Sequence, residues 1–376
     1  MSTLGAADAA ALGHARELAR RARGMVSPNP LVGAVILRDG RLIAEGWHEG
    51  PGLPHAEVMA LRAAGDAARG ATLVCTLEPC SHFGRTPPCT AALIDARVAR
   101  VVVGCLDPLE RTRGQGVHLL RDAGIEVQLA DGDDEYASRE LIADFITHAV
   151  RGRPHVTLKL ATSLDGKIAT RTGESQWITG PDARALVHRM RADHDAVAAG
   201  IGTVLADDPR LTARGIAGPL RQPTRVVFDS FARLPLTSAL VAGAGEVPVI
   251  AAVGAHAPWD RVAALQDAGV EVIACATPRP HIPDVLSALG ERDIQSLFIE
   301  GGAGLAGGFL EAAAVDVVQW FQAPMLIGGD EAPGAVAGPG AGRLADAARL
   351  TRVRVSTIGP DTHTTGRLIE LPTSED

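Results

Sequence analysis

Short apolar runs alternate with helix-length stretches from one end of this 376-residue chain to the other. Strands separated by helices imply a largely parallel sheet covered on both faces. In the first part, the pattern predicts an exposed, charged helix over 14–23. Strands follow over 31–37 and 42–45 around the turn dipeptide Asp39-Gly40. Helices near 56–64, 88–96 and 115–123 then alternate with strands at 71–76, 98–105 and 125–129, and a helical stretch over 134–150 closes the unit. Arg151-Gly152-Arg153-Pro154 has the composition of a linker. Beyond it, strands are expected over 155–162 and near 195–200, 224–228, 247–252, 270–274 and 295–300. Strands over 317–322, 350–357 and 364–370 end the chain, broken by a Gly/Pro/Ala-rich loop at 328–342. Two α/β domains, 1–150 and 151–376, are therefore expected, with no repeat at a solenoid period.

Composition narrows the function. A formal charge of −8 and only twelve aromatic residues argue against a nucleic-acid groove, while small anionic ligands remain compatible. Five cysteines, an odd number in a long chain, point away from a secreted disulfide framework and towards metal or catalytic use in a reducing cytoplasm. The charged N-terminal stretch lacks the apolar core of a signal peptide, and no run of about 18 apolar residues occurs. A soluble protein is expected.

The chemistry-bearing residues of the first part are His55-Ala56-Glu57 at a helix start, and Pro79-Cys80 with Cys89 at the start of the next. One imidazole and two thiolates leave the fourth tetrahedral position of Zn²⁺ open, as a catalytic site requires. A metal so held makes water a nucleophile near neutral pH, and Glu57, spared from ligation, can carry the proton to a leaving amine. The order His-x-Glu, Pro-Cys, Cys is that of zinc deaminases, although eight residues separate Cys80 from Cys89 where that signature has two. The plainer alternative is two unrelated buried cysteines and a surface histidine. Cys75 and Cys105 lie inside apolar strands and read as core, Cys275 has no partner pattern, and His48, His82 and His118 read as surface or substrate-contact residues.

Taken together, Pro28-Asn29-Pro30-x-Val32-Gly33-Ala34-Val35, His55-Ala56-Glu57 and Thr76-Leu77-Glu78-Pro79-Cys80-Ser81-His82-x-Gly84-Arg85-Thr86-Pro87-Pro88-Cys89 resemble the bifunctional riboflavin-biosynthesis deaminase–reductase family, in which the long insert between the cysteines is normal. The resemblance implies a cytidine-deaminase-like three-layer α/β/α domain that removes the exocyclic amine of a diaminopyrimidinone ribosylamine phosphate. His55, Cys80 and Cys89 would hold Zn²⁺ and Glu57 would be the general acid/base. Asn29 would hydrogen-bond the pyrimidine, though Pro28-Asn29-Pro30 could be just a turn, and His82, Arg85 and Thr86 suit the substrate phosphate. One segment departs from the family: Asp107-Pro108-Leu109-Glu110-Arg111-Thr112-Arg113-Gly114-Gln115-Gly116 keeps only the ends of the usual Asp-Pro-Asn-Pro and Gly-x-Gly pattern.

The second part extends the resemblance through Lys159 to Gly166, Gly173 to Thr179 and Ile201 to Pro209. The implied fold is α/β and dihydrofolate-reductase-like, with NADPH as cofactor. Ser296 to Glu300 reads as a strand feeding Gly301-Gly302-Ala303-Gly304-Leu305-Ala306-Gly307, a Gly-x-Gly-x-x-Gly turn opening a helix, whose amides suit a pyrophosphate. A Rossmann unit would carry this turn early, with an acidic residue about 20 positions on, where Phe321 stands here. By the resemblance, Ala161, Trp177, Thr203, Asp207, Ser230 and the turn 301–307 would contact NADPH. Ser175, Arg191, Leu211, Arg214 and Glu300 would contact the substrate, Arg191 and Arg214 as phosphate anchors. Lys159 and Asp165 are candidates for polar support of the reacting sugar or for a structural ion pair, and Trp177 could instead fill the core.

The reading is thus a two-step cytoplasmic enzyme acting on a phosphorylated pyrimidine, self-associating by family resemblance, without nucleic acid or membrane. A deaminase of free nucleosides or RNA bases would share the metal site but leave the second domain without a use. A binding module with a structural zinc would need four ligands and no Glu57.

Overall fold

The computed structural model describes residues 4–83, 87–218 and 221–372. It divides into two compact units, one running to Arg151 and one spanning Gly152–Glu370. Leu371 and Pro372, expected with the second domain, belong to the first unit. There Leu371 is buried and the Arg139 guanidinium donates to the Pro372 carbonyl.

The first unit is built in the order α1 (Ala6–Arg20), β1 (Gly33–Arg38), β2 (Arg41–Trp47), α2 (Ala56–Ala64), β3 (Thr72–Cys75), α3 (Cys89–Asp95), β4 (Arg100–Val103), α4 (Gln115–Asp122), β5 (Glu126–Leu129), α5 (Gly132–Leu141) and α6 (Ala143–Arg151). Its sheet has the order β2-β1-β3-β4-β5. Only β3, β4 and β5 are parallel; β1 is antiparallel to both neighbours, as expected for the hairpin with β2 but not for β3. The hairpin turn at Asp39-Gly40 dictates the β1–β2 pairing, and the place of β3 beside β1 is a tertiary choice that no local pattern encodes. Side chains alternate across the sheet: Val35, Leu37, Val74 and Val102 pack with α1, while Ala34, Ile36, Leu73, Val101 and Val103 pack with α2, α3 and α4. This is the expected three-layer arrangement. The first helix is longer than predicted and is not an exposed one, because Ala11, Leu12, Ala15, Leu18 and Ala19 form a buried stripe at helical spacing.

The second unit runs β6 (His155–Thr162), α7 (Pro181–Asp193), β7 (Ala196–Gly200), α8 (Ile201–Asp207), β8 (Thr224–Phe228), α9 (Ala239–Ala242), β9 (Val249–Val253), α10 (Trp259–Asp267), β10 (Glu271–Ala274), α11 (Ile282–Gly290), β11 (Ser296–Ile299), α12 (Ala303–Glu311), β12 (Val317–Gln322), β13 (Thr351–Ile358) and β14 (Asp361–Arg367). The nine-stranded sheet has the order β10-β9-β8-β7-β11-β6-β12-β14-β13, parallel up to β12 and antiparallel in the final hairpin. Helices α11 and α12 cover one face and α7 to α10 the other. The chain moves outward from β7 to β10 and then returns to place β11 between β7 and β6. Helices α8 and α12 therefore leave adjacent strands towards opposite faces, and the crevice so formed at the strands' carboxyl ends is where open α/β sheets bind ligands.

Candidate active sites

In the first unit, β3 leads into Cys80, His55 is the N-cap of α2 and Cys89 is the first residue of α3. One imidazole and two sulfurs thus meet beside two helix N-termini, whose positive potential favours thiolates. His55 Nδ1 is 3.2 Å from Cys89 Sγ and 3.5 Å from Cys80 Sγ, and the Cys89 amide donates to Cys80 Sγ at 3.2 Å. All three donor atoms lie within 4.8 Å of one another, the one such cluster among the described residues. A tetrahedral zinc with Zn–N and Zn–S bonds of about 2.0 and 2.3 Å has ligand edges of roughly 3.5–3.8 Å, so donor set and spacing fit that ion with one position to spare.

Glu57 is the second residue of α2, with its side chain buried. Burial first, and the Cys80 sulfur second, push its carboxyl up to about 7, where one group can both take and give a proton at neutrality. A hydrogen bond from the Cys89 thiol pulls the Cys80 thiol down to about 4, and the same bond pushes Cys89 up. Cys80 is the natural thiolate of the pair.

Asn29 donates from Nδ2 to His48 Nε2 at 2.9 Å, and His48 Nδ1 reaches the Pro54 carbonyl at 3.1 Å. Contrary to the surface role expected for it, His48 is buried, its pKa lowered chiefly by that burial, and it meets the His55 ring edge-on at 5.4 Å. A single histidine after a strand gave no sign of this in the sequence. His82 is exposed just beyond Cys80, whereas Arg85 and Thr86 lie outside the described residues. Cys75 and Cys105 are core residues, as read; burial raises both thiols, that of Cys105 to about 12.

In the second unit the starts of α8 and α12 bring Thr203 and Gly302 together. Thr203 lies in the first turn of α8, and a Cβ on Gly302 would lie 3.8 Å from its hydroxyl. Gly302 is the N-cap of α12, and Gly304 has open space where a side chain would project, so the first-turn amides are approachable. The rest of the turn serves packing. Ala306 is fully buried, Leu305 folds over Gly301, and Gly307 lies so close to Ala337 that a Cβ would stand 1.9 Å from its carbonyl oxygen. Ser230 follows β8 on the same edge of the sheet, Ala161 is the next-to-last residue of β6, and Asp207 is exposed at the far end of α8.

Glu300, directly after β11, accepts from Arg191 Nε at 2.5 Å and Nη2 at 3.0 Å, with Lys159 Nζ 3.9 Å away. Burial pushes the Glu300 carboxyl up, but Arg191 and Lys159 outweigh it and hold the group below its ordinary value. Arg191 also donates to the Thr212 carbonyl at 3.1 Å, beside buried Leu211, so much of its guanidinium is already committed; Arg214 is the exposed arginine. His188, which sequence reasoning passed over, lies 3.5 Å from Arg191 Nη1, and its pKa is lowered by burial and then by Arg191 and Arg214. Among the described residues Asp165 forms no ion pair: its carboxylate accepts from Ser163 Oγ at 2.6 Å and from the Ile327 and Gly328 amides at 3.1 and 2.7 Å. Those bonds hold it down to about 2. Ser175 and Trp177 lie between β6 and α7. Trp177 is 66% exposed and does not fill the core; the Arg184 guanidinium stands 4.6 Å from its ring.

Comparison with known proteins matches residues 6–105 to the cytidine and deoxycytidylate deaminase zinc-binding region and residues 154–364 to the RibD C-terminal domain. The riboflavin biosynthesis protein RibD of Bacillus amyloliquefaciens is 42% identical over 347 residues, 92% of each chain. That of Escherichia coli is 40% identical over 363 residues, 93% of this chain and 96% of its own. The chain belongs to the bifunctional riboflavin-biosynthesis deaminase–reductase family. Acinetobacter baumannii RibD superposes with a TM-score of 0.86 at 38% identity, covering 96% of this chain and 98% of its own. The deaminase/reductase of Thermotoga maritima does so at 0.81 and 36%, with the same coverage. As a member, the chain is a two-activity enzyme, a deaminase and a reductase, with Zn²⁺ and NADPH as its cofactors. Its fold is a cytidine-deaminase-like domain followed by a dihydrofolate-reductase-like one.

Proposed function

We propose that His55, Cys80 and Cys89 hold the zinc and Glu57 moves the proton in deamination of a diaminopyrimidinone ribosylamine phosphate. The single observation that carries this is the convergence of the three donor atoms within 4.8 Å beside the buried Glu57. A zinc ion held by these three residues would supply a water activated near neutral pH. Glu57, poised near 7, takes a proton from water and gives it to the ring nitrogen, then takes the proton of the added hydroxyl and gives it to the departing amine, which leaves as ammonia, so the group ends as it began. Asn29, held by His48, presents its amide to the pyrimidine edge, and His82 and Arg85 suit the phosphate.

The second unit then reduces the opened ribosyl chain of the deaminated product to ribityl. NADPH supplies the hydride. The open first turn of α12 with Gly301 to Gly304, together with Thr203, Ser230, Trp177, Ala161 and Asp207, supports its binding at the crevice. Glu300, kept ionised by Arg191 and Lys159, offers acceptors to sugar hydroxyls, while Arg214, aided by the remaining donors of Arg191, anchors the phosphate beside Ser175 and Leu211. Asp165 supports the sugar site indirectly by stapling the 327–328 turn.

The enzyme works in the cytoplasm on small molecules rather than nucleic acid, in keeping with five free cysteines and a charge of −8. Among the described residues no helix is long and apolar enough to cross a membrane. It assembles with itself; the exposed edge strand β13, with Val353 and Val355 uncovered, is compatible with a partner copy. Single replacement of His55, Cys80 or Cys89 by Ala tests the central assignment. Zinc content and ammonia release are expected to fall together with NADPH oxidation retained; a variant that keeps full zinc removes that residue from the ligand set.

A further inference from the structure

Glu78 lies two residues before Cys80 and has no part in the chemistry assigned above, yet it is buried. Its carboxylate is satisfied by backbone amides alone: Oε2 accepts from Asp107 at 3.1 Å and Gly114 at 2.9 Å, and Oε1 from Val117 at 3.2 Å. Val117 is the third residue of α4, whose N-cap, Gly114, has no side chain with which to close the helix. Glu78 supplies from a distant strand end what a Ser or Asp N-cap supplies locally. The helix start rests directly on the turn leading to the ligand, since a Cβ on Gly116 would stand 2.1 Å from the Pro79 carbonyl oxygen. On the other side, the Cys80 carbonyl accepts from the Thr90 amide and hydroxyl, both at 3.2 Å, at the start of α3.

We propose that Glu78 is a positioning residue of the deaminase: its carboxylate locks the Pro79-Cys80 turn to the 107–117 segment and so fixes where the Cys80 sulfur stands. The proposal rests on the reading that Cys80 is a zinc ligand. It also accounts for the divergence of the 107–116 loop. Asp107, Gly114 and Gly116, the ends retained from the family pattern, are the residues that meet Glu78 or Pro79. The middle closes on itself, with Asp107 Oδ1 accepting from the Leu109 amide at 2.9 Å and Arg113 Nη2 donating to the Pro108 carbonyl at 3.0 Å. Its side chains can change without loosening the junction.

The test uses the zinc-loaded full chain and Glu78→Gln, which puts an NH₂ group where one carboxylate oxygen accepts. Groups that orient a metal ligand typically change metal affinity by about 10- to 100-fold. Zinc affinity, measured by chelator competition, is expected to fall within that range, with faster hydrogen exchange at the Asp107, Gly114 or Val117 amides and an unchanged reductase rate. Wild-type zinc affinity and wild-type exchange in the variant would overturn the proposal. If the variant does not fold, the wild type alone decides: chelating its zinc is expected to speed exchange at those three amides, and unaltered exchange overturns the proposal equally. Full zinc retention by Cys80→Ala would instead sink the ligand assignment, a separate outcome.

Discussion

Arg191 on α7 and Glu300 after β11, 109 residues apart in sequence, form a forked ion pair through Nε–Oε1 and Nη2–Oε2. Both side chains are largely buried, 14% and 9% exposed, so each charge depends on the other for compensation. Removing one partner of such a pair strands a buried charge, at a cost of about 3–5 kcal/mol. Arg191→Ala is expected to destabilise the reductase unit by that order and to abolish most NADPH oxidation while leaving ammonia release intact. Arg191→Lys, with a point charge in place of a planar fork, should recover only part of the loss. Thermal unfolding and the two rates, measured separately, check this.

The glycine turn separates packing from binding. Gly307→Ala would put a methyl 1.9 Å from the Ala337 carbonyl oxygen, so the backbone must shift; a loss of about 1–3 kcal/mol is expected. Gly302→Ala meets only the Thr203 hydroxyl, at 3.8 Å, and should fold normally but raise the KM for NADPH. Unfolding curves and cofactor titrations of the two variants distinguish the roles.

His155 governs an acid limb of stability. Buried at the start of β6, it accepts from Arg367 Nη2 at 3.3 Å, and burial brings its pKa down to about 3. The folded value lies below the unfolded one, near 6.5, so the folded protein binds fewer protons. The contribution of neutral His155 is complete above pH 6.5 and is lost progressively as pH falls towards 3, at up to about 1.4 kcal/mol per pH unit. Denaturant unfolding between pH 7 and pH 4 should show this slope, and His155→Gln should flatten it.

The cluster of His55, Cys80 and Cys89 was legible because ligand types at helix starts form a pattern that chance seldom produces, and the alternating runs gave both α/β units. Residues whose roles arise from tertiary contact were not. Glu78 and His48 carry no local signature; Asp107 lies 29 residues from Glu78, and Asn29 lies 19 from His48. The Arg191–Glu300 pairing and the bonds of Asp165 to the 327–328 amides join residues more than 100 positions apart, so neither partnership had a local signature. The small alanines of α1 hid its buried stripe, and the antiparallel place of β1 depends on strand order, which periodicity does not encode.

Glu57→Gln, assayed in the zinc-loaded full chain, tests the central assignment most directly. Ammonia release from the diaminopyrimidinone ribosylamine phosphate is expected to drop by about 10²–10⁴-fold, the usual share of a general acid/base. Zinc content and NADPH oxidation on the deaminated intermediate should remain at wild-type levels. Ammonia release at the wild-type rate from that variant would contradict the assignment of Glu57 as the proton carrier.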